Sequence, residues 1–176
     1  LEMNTIEIGS GKMIYFRKPT EDDGSEMYRI VKQSKVLDVN SPYSYLMWSK
    51  FFNKTSIIAT YEDEVIGFVS GFLQPESPDT LFVWQVAVDE KFRGHGLATK
   101  LIERLLMQLQ SEKVKYLEAT VTPSNIPSSN LFKGIAKKHQ TNCTIYECFS
   151  EDQFPDENHE AELTYRVGPI TFSKQN

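Results

Sequence analysis

Arg93-Gly94-His95-Gly96-Leu97-Ala98 lies between a run of β-forming residues and an amphipathic helix. Two glycines around one histidine let successive backbone N–H groups converge at a helix N-terminus, where the helix dipole also favours negative charge. With no Cβ on Gly94 or Gly96, an anion can approach the backbone closely. The chemistry this suits is the binding of a pyrophosphate. Arg93 adds a cation, His95 contributes its backbone with its ring outward, and Leu97, Ala98 and Thr99 open the helix. Two other glycine loops are excluded. Thr99 stands where a dinucleotide fingerprint needs a third glycine, and the Gly-Lys-Ser/Thr of a P-loop is absent. A tight turn that needs only positive φ is the alternative reading.

Other residues have chemistry to offer. Glu118 is a strand carboxylate in YLEATV (116–121), sharing a face with Thr120 and Thr122. Asp38, Asn40, Ser41 and Tyr43 lie in a loop and helix start, where Ser41 suits the N-cap and Pro42 the first helical position. Trp84 is either a pocket wall or core. His159 and Glu162 belong to the acidic stretch DENHEAE (156–162), which is a functional loop or a solvated charge run. His139 reads as surface. Cys143 and Cys148 have no partner at zinc spacing and read as core thiols on a strand, and no metal constellation is present.

The elements that must position these groups follow from periodicity. Met13–Arg17 is a strand, and Thr20 with Asp23 resembles a capping box before a helix whose inner face is Met27, Ile30, Val31 and Ser34. A second helix follows Pro42, with Leu46, Met47 and Phe51 expected toward the core. SIIATY and VIGFVSGF form a hairpin turning at Glu62-Asp63-Glu64, with Gly67 and Gly71 marking bulges or close backbone approach. TLFVWQVAV (80–88) is apolar on both faces except for Gln85, which marks a central strand. Leu97, Leu101, Leu105 and Leu109 line the next helix. Strand 116–121, a helix at 128–138, strand 142–149, a polar loop at 150–160 and strand 161–167 complete the chain. The order predicts one α/β domain around a mixed central sheet flanked by helices. Residues 1–12 read as a tag remnant (Leu1-Glu2-Met3) and N-terminal segment, 13–168 as the domain, and 169–176 as a C-terminal tail.

Composition narrows the partners. The 176 residues are 40% hydrophobic and 24% charged, with a formal charge of −5. That balance disfavours nucleic acid, which needs a basic stripe, and is compatible with a cationic substrate or with simple solubility. No apolar run approaches the roughly 18 residues of a membrane span, and no secretory signal opens the chain. A cytoplasmic location is the expectation.

RGHGLA after VAVDEKF resembles the acetyl-CoA pyrophosphate loop of the GNAT family of N-acetyltransferases. The family pattern is Gln/Arg-x-x-Gly-x-Gly/Ala; Gly94 and Gly96 match it, and Lys91 holds the first position as another basic residue. FRKPTEDD and ATYEDEVIGFVSG resemble the family's first strand and helix start and its second and third strands. The resemblance covers roughly residues 13 to 168. It narrows to the diaminobutyrate acetyltransferases through DVNSPYSYLMW (38–48), TLFVWQVAVDEKFRGHGLA (80–98), LEATVTPSN (117–125) and the spaced His159 and Glu162.

The resemblance implies the single-domain acyl-CoA N-acyltransferase (GNAT) fold and acetyl-CoA as co-substrate without a metal. It also implies acetylation of the 4-amino group of L-2,4-diaminobutyrate in ectoine biosynthesis, under osmotic stress, by a cytoplasmic homodimer. Another small amine as acceptor, or a non-catalytic acyl-CoA-binding module, are the alternatives. Backbone around Val86, Ala87 and Val88 would hold the acyl group and its oxyanion, and Asn125 and Phe132 would lie along the cofactor. Phe132 replaces the family's frequent tyrosine acid and would pack on the pantetheine arm or in the core. Expelling a thiolate of pKa about 8.5 at pH 7 costs only about 2 kcal/mol, so Tyr43 or water can serve. Glu118 would relay the amine proton through water or act as a structural or orienting acid. Asp38 would hold a substrate ammonium. Asn40, Ser41, Tyr43, Trp84, Thr122, His159 and Glu162 would complete the acceptor site.

Overall fold

Strand β1 (Thr5–Ile8) pairs antiparallel with β2 (Lys12–Arg17) in the computed structural model, which describes residues 4–172. The expected Leu1-Glu2-Met3 remnant and the last four residues of the expected tail, 173–176, lie outside the described residues. Sequence reading finds no strand before Met13, because four residues are too few for an alternation to be read. Pairing makes β1 a strand, and its last residue, Ile8, is buried.

The chain divides into two compact units, the first of residues up to 72 together with 84–109, the second of 73–83 and 110 onward. In the first, a 3-10 turn at Glu21–Asp23 leads into helix α1 (Gly24–Gln33). Asp23 accepts from the Thr20 backbone N–H at 2.7 Å and forms a two-pronged ion pair with Arg17 at 2.8 and 2.9 Å. Helix α2 (Pro42–Phe51) starts as expected, with Ser41 Oγ accepting from the Ser44 N–H at 3.3 Å. Strands β3 (Ile57–Tyr61) and β4 (Glu64–Gln74) form the hairpin, turning through positive φ at Glu62 and Asp63.

The inner face of α2 corrects the expectation. Leu46 and Phe51 are 45% and 69% exposed and Met47 is also exposed, whereas Tyr45 is fully buried and Ser49 is buried with it. In PYSYLMWSKF nearly every position is apolar or small, so periodicity alone does not choose a face. Packing chooses Tyr45, which enters a cluster with Met27, Ile30, Val31, Ile58, Val65, Phe68 and Ala87, flanked by Trp48 and Trp84.

Strand β5 (Ser77–Val88) runs through both units, and its last five residues belong to the first. Helix α3 (Leu97–Gln108) follows it, burying Leu97, Leu101, Ile102, Leu105 and Leu106. A Cβ on Gly67 would lie 3.1 Å from Ala87 O and 3.2 Å from Leu101 Cδ1, which is the close approach that its glycine suggests. Gly67 faces α3 while its neighbour Phe68 faces α1 and α2, so the helices cover both sides of this sheet.

In the second unit, β5 pairs in parallel with β6 (Tyr116–Val121), from Thr80 with Tyr116 to Val83 with Ala119. Helix α4 (Ile126–Lys138), strand β7 (Asn142–Phe149) and strand β8 (Glu162–Gly168) follow, with β8 lying between β6 and β7 and antiparallel to both. Parallel and antiparallel pairs together make the sheet mixed, as expected. Leu117, Ala119 and Val121 are buried on one face, and Tyr165 on β8 donates to Ser129 Oγ of α4 at 3.0 Å. The cysteines are not core thiols. Strand β7 is exposed along most of its length, leaving Cys143 half-buried and Cys148 exposed.

Candidate active site

The loop ahead of α3 has the geometry of an anion site. Gly94 and Gly96 have φ of 85° and 68°, a region that favours glycine. No atom lies within 4 Å of a Cβ built on either, so the space over both is open. Gly96 is the N-cap of α3 and brings no side chain to it, and the first turn holds no acidic residue. The opening N–H groups of a helix have no acceptor of their own, and here none is supplied locally. The loop is held from both ends: Arg93 Nε donates to Val88 O at 3.2 Å, and Lys100 Nζ to His95 O at 3.1 Å. His95 is exposed, Leu97 buried, and Ala98 and Thr99 half-buried. This arrangement fits a diphosphate.

In the same unit, Asp38, Asn40, Ser41 and Tyr43 are all exposed. Their loop is tied to β5. Gln85 Nε2 donates to Asp38 O at 3.1 Å, the Tyr45 hydroxyl donates to Gln85 Oε1 at 3.0 Å, and the Asn40 N–H donates to the Tyr45 hydroxyl oxygen at 3.4 Å. Trp84 is half-buried, stacked on Trp48 at 4.7 Å and tilted against Tyr45 at 5.8 Å. Consecutive residues Trp84 and Gln85 therefore both reach Tyr45. Neighbours in a regular strand point to opposite faces, so the alternation of β5 breaks here, just before Val86, Ala87 and Val88.

The remaining predicted residues belong to the second unit. Glu118 is 8% exposed. Its Oε1 accepts from Gln74 Nε2 at 3.0 Å, and its Oε2 from Arg166, which lies opposite it in the β6–β8 register. Arg166 Nη1 also donates to Thr80 at 3.3 Å, and its guanidinium stacks over Tyr116 at 3.8 Å. Sequence reading missed Gln74 and Arg166. The available signal was a carboxylate in a strand otherwise reading as core, which requires a partner. Asn125 caps α4, accepting from the Ser128 N–H at 3.2 Å, and Phe132 is buried on that helix. Thr122 and Glu162 are half-buried. His159 stacks on Phe154 at 3.7 Å, and its Nδ1 lies 2.6 Å from Glu160 O. Glu160, which was not predicted, accepts from both the backbone N–H and the hydroxyl of Ser124. No group of three or more His, Cys, Asp or Glu among the described residues could hold a metal ion.

The sequence pattern of the acetyltransferase (GNAT) family matches residues 24–135, most of the chain and all of the loop just described. The chain belongs to the GNAT acetyltransferase family. Among GNAT relatives, the L-2,4-diaminobutyric acid acetyltransferase of Marinococcus halophilus is 52% identical over 163 residues, covering 93% of this chain and 94% of the relative. That of Halalkalibacterium halodurans is 48% identical over 153 residues, covering 87% and 80%. A solved GNAT structure, the diaminobutyrate acetyltransferase EctA of Paenibacillus lautus in complex with L-2,4-diaminobutyric acid and coenzyme A, is 36% identical. It aligns with a TM-score of 0.86 over 92% of this chain and 98% of its own. The ribosomal-protein-S18-alanine N-acetyltransferase of Escherichia coli, 16% identical with a TM-score of 0.70, shares the GNAT fold.

Proposed function

We propose that this GNAT enzyme transfers the acetyl group of acetyl-CoA to the 4-amino group of L-2,4-diaminobutyrate, giving N4-acetyl-L-2,4-diaminobutyrate. The observation that carries the reading is the match, along nearly the whole chain, to a diaminobutyrate acetyltransferase solved with that amino acid and coenzyme A. Turnover with L-2,4-diaminobutyrate, compared with ornithine, lysine, diaminopropionate and putrescine, tests it.

The chain's own groups divide the work. The open, uncapped start of α3 binds the pyrophosphate, with Arg93 beside it. An aliphatic amine of pKa about 10.4 is neutral in only about one molecule in a few thousand at pH 7, so the acceptor must shed a proton before attack. Asp38 holds the other ammonium and keeps the diamine in register. The neutral amine adds to the acetyl carbonyl. Backbone N–H groups of β5 near Val86 and Val88, where the strand's alternation breaks, stabilise the oxyanion. The C–S bond then breaks, the amine proton passes to water, and the thiolate leaves, protonated by Tyr43 or by water. Of the two roles open to Glu118, its engagement by Gln74 and Arg166 favours orientation over proton transfer. To the acceptor we assign Asn40, Ser41 and Trp84 of the first unit and, separately, Thr122, His159 and Glu162 of the second, and to the cofactor Asn125 and Phe132.

The same reading places one domain at 13–168 and assigns the enzyme to ectoine biosynthesis in the cytoplasm during osmotic stress, as a homodimer. No helix among the described residues is long and apolar enough to cross a membrane.

A further inference from the structure

We propose that Tyr45 and Gln85 are positioning residues that fix the loop at residues 38–40 and thereby set the affinity for the acceptor. The inference rests on the reading of that loop as acceptor-binding. Tyr45 is fully buried between Tyr28, Phe68 and Trp84, with ring centroids 5.8 to 6.4 Å away. A phenylalanine would fill that place equally well, so the hydroxyl is surplus to packing. A buried hydroxyl costs stability unless it is bonded. Gln85 is likewise the one strongly polar side chain in an apolar run.

The two surplus groups meet each other. The Tyr45 hydroxyl donates to Gln85 Oε1, Gln85 Nε2 donates to the Asp38 carbonyl, and the Asn40 N–H donates back to the Tyr45 hydroxyl. The result is a closed ring of hydrogen bonds. It grips the loop by backbone atoms alone, at Asp38 and Asn40, so it takes up neither side chain. Residues 35–41 have no helix or strand of their own to hold them, and exposed loops otherwise wander. The ring anchors this loop to β5 at Gln85, next to the stretch carrying Val86 and Val88. It acts on the acceptor through the loop and touches no reacting atom.

The test is steady-state kinetics of the full chain with acetyl-CoA and L-2,4-diaminobutyrate, comparing Tyr45→Phe, Gln85→Met, Asp38→Asn and Asp38→Asn/Tyr45→Phe. Tyr45→Phe and Gln85→Met should each raise KM for the diamine about fivefold, the size of one lost hydrogen bond. The kcat and the KM for acetyl-CoA should stay within about twofold. In the double variant, Tyr45→Phe should add nothing to the effect of Asp38→Asn. If Asp38→Asn raises KM while Tyr45→Phe and Gln85→Met do not, the positioning role is overturned and the acceptor loop stands. If Asp38→Asn has no effect, the role given to Asp38 fails. The ring is then upheld or overturned by the KM of the other two variants alone. A parallel loss of kcat and of both KM values would also overturn it, because that pattern marks general disruption. Should Tyr45→Phe fail to fold, Gln85→Met carries the same test.

Discussion

Arg166 on β8 faces Glu118 on β6 across one antiparallel register and donates to its carboxylate, while Gln74 donates to the other oxygen. Glu118 is buried and Arg166 only partly so. Removing the cation leaves a buried charge with one partner lost, which is costlier than removing both. Arg166→Met should therefore destabilise the fold by about 2 kcal/mol, and Glu118→Gln/Arg166→Met should recover part of the loss. Urea unfolding of the single and double variants decides. A double variant less stable than Arg166→Met would mean that the pair matters through other contacts.

The same carboxylate separates two mechanisms. If Glu118 orients, Glu118→Gln lowers kcat/KM for the amine without altering the shape of its pH profile. If Glu118 takes the proton, the variant loses the limb of the profile that reports the base. Initial rates from pH 6 to 10 distinguish them.

The anion site at the start of α3 depends on backbone conformation. A methyl on Gly94 would meet nothing within 4 Å, but its φ of 85° is unfavourable for any residue with a Cβ. The cost, about 1 kcal/mol, falls on the loop that binds pyrophosphate. Gly94→Ala should raise KM for acetyl-CoA about fivefold and change KM for the diamine less than twofold. Equal changes in both would show that the loop does not act through the cofactor.

Asp23 supplies an acid-dependent element of stability. Burial alone would raise its pKa, but the hydrogen bond and charge of Arg17, with the Thr20 N–H, outweigh this and hold it below the ordinary value. A carboxyl depressed in the folded state contributes stability above its unfolded pKa of about 3.9. That contribution is lost as pH falls through the lower, folded value. Asp23→Asn should lose about 2 kcal/mol at pH 7 and show a flatter decline below about pH 4 than the parent chain. Denaturant unfolding across pH 2 to 7 checks this. An unchanged slope would assign the acid sensitivity to other groups.

What the sequence disclosed depended on where one physical rule acted alone. The α3 helix and β6 follow from clean periodicity, and the glycine loop from residues that few backbones other than a positive-φ turn would select. The face of α2 did not, because Tyr45, Leu46, Met47 and Trp48 are four candidates in a row and only tertiary packing ranks them. Arg166 lies 48 residues from Glu118 in sequence, and no local pattern links them. Gln85 stood out as a polar residue in an apolar strand, yet its partners Tyr45 and Asp38 are supplied by the fold.

The most direct measurement is thiol release from acetyl-CoA by the purified chain with each candidate amine, followed by NMR of the product. Strong preference for L-2,4-diaminobutyrate is expected, with the acetyl group on the 4-nitrogen. Preferred turnover of another amine, or acetyl on the 2-nitrogen, would contradict it while leaving the GNAT chemistry in place. Tight acetyl-CoA binding without turnover of any amine would contradict the catalytic reading itself.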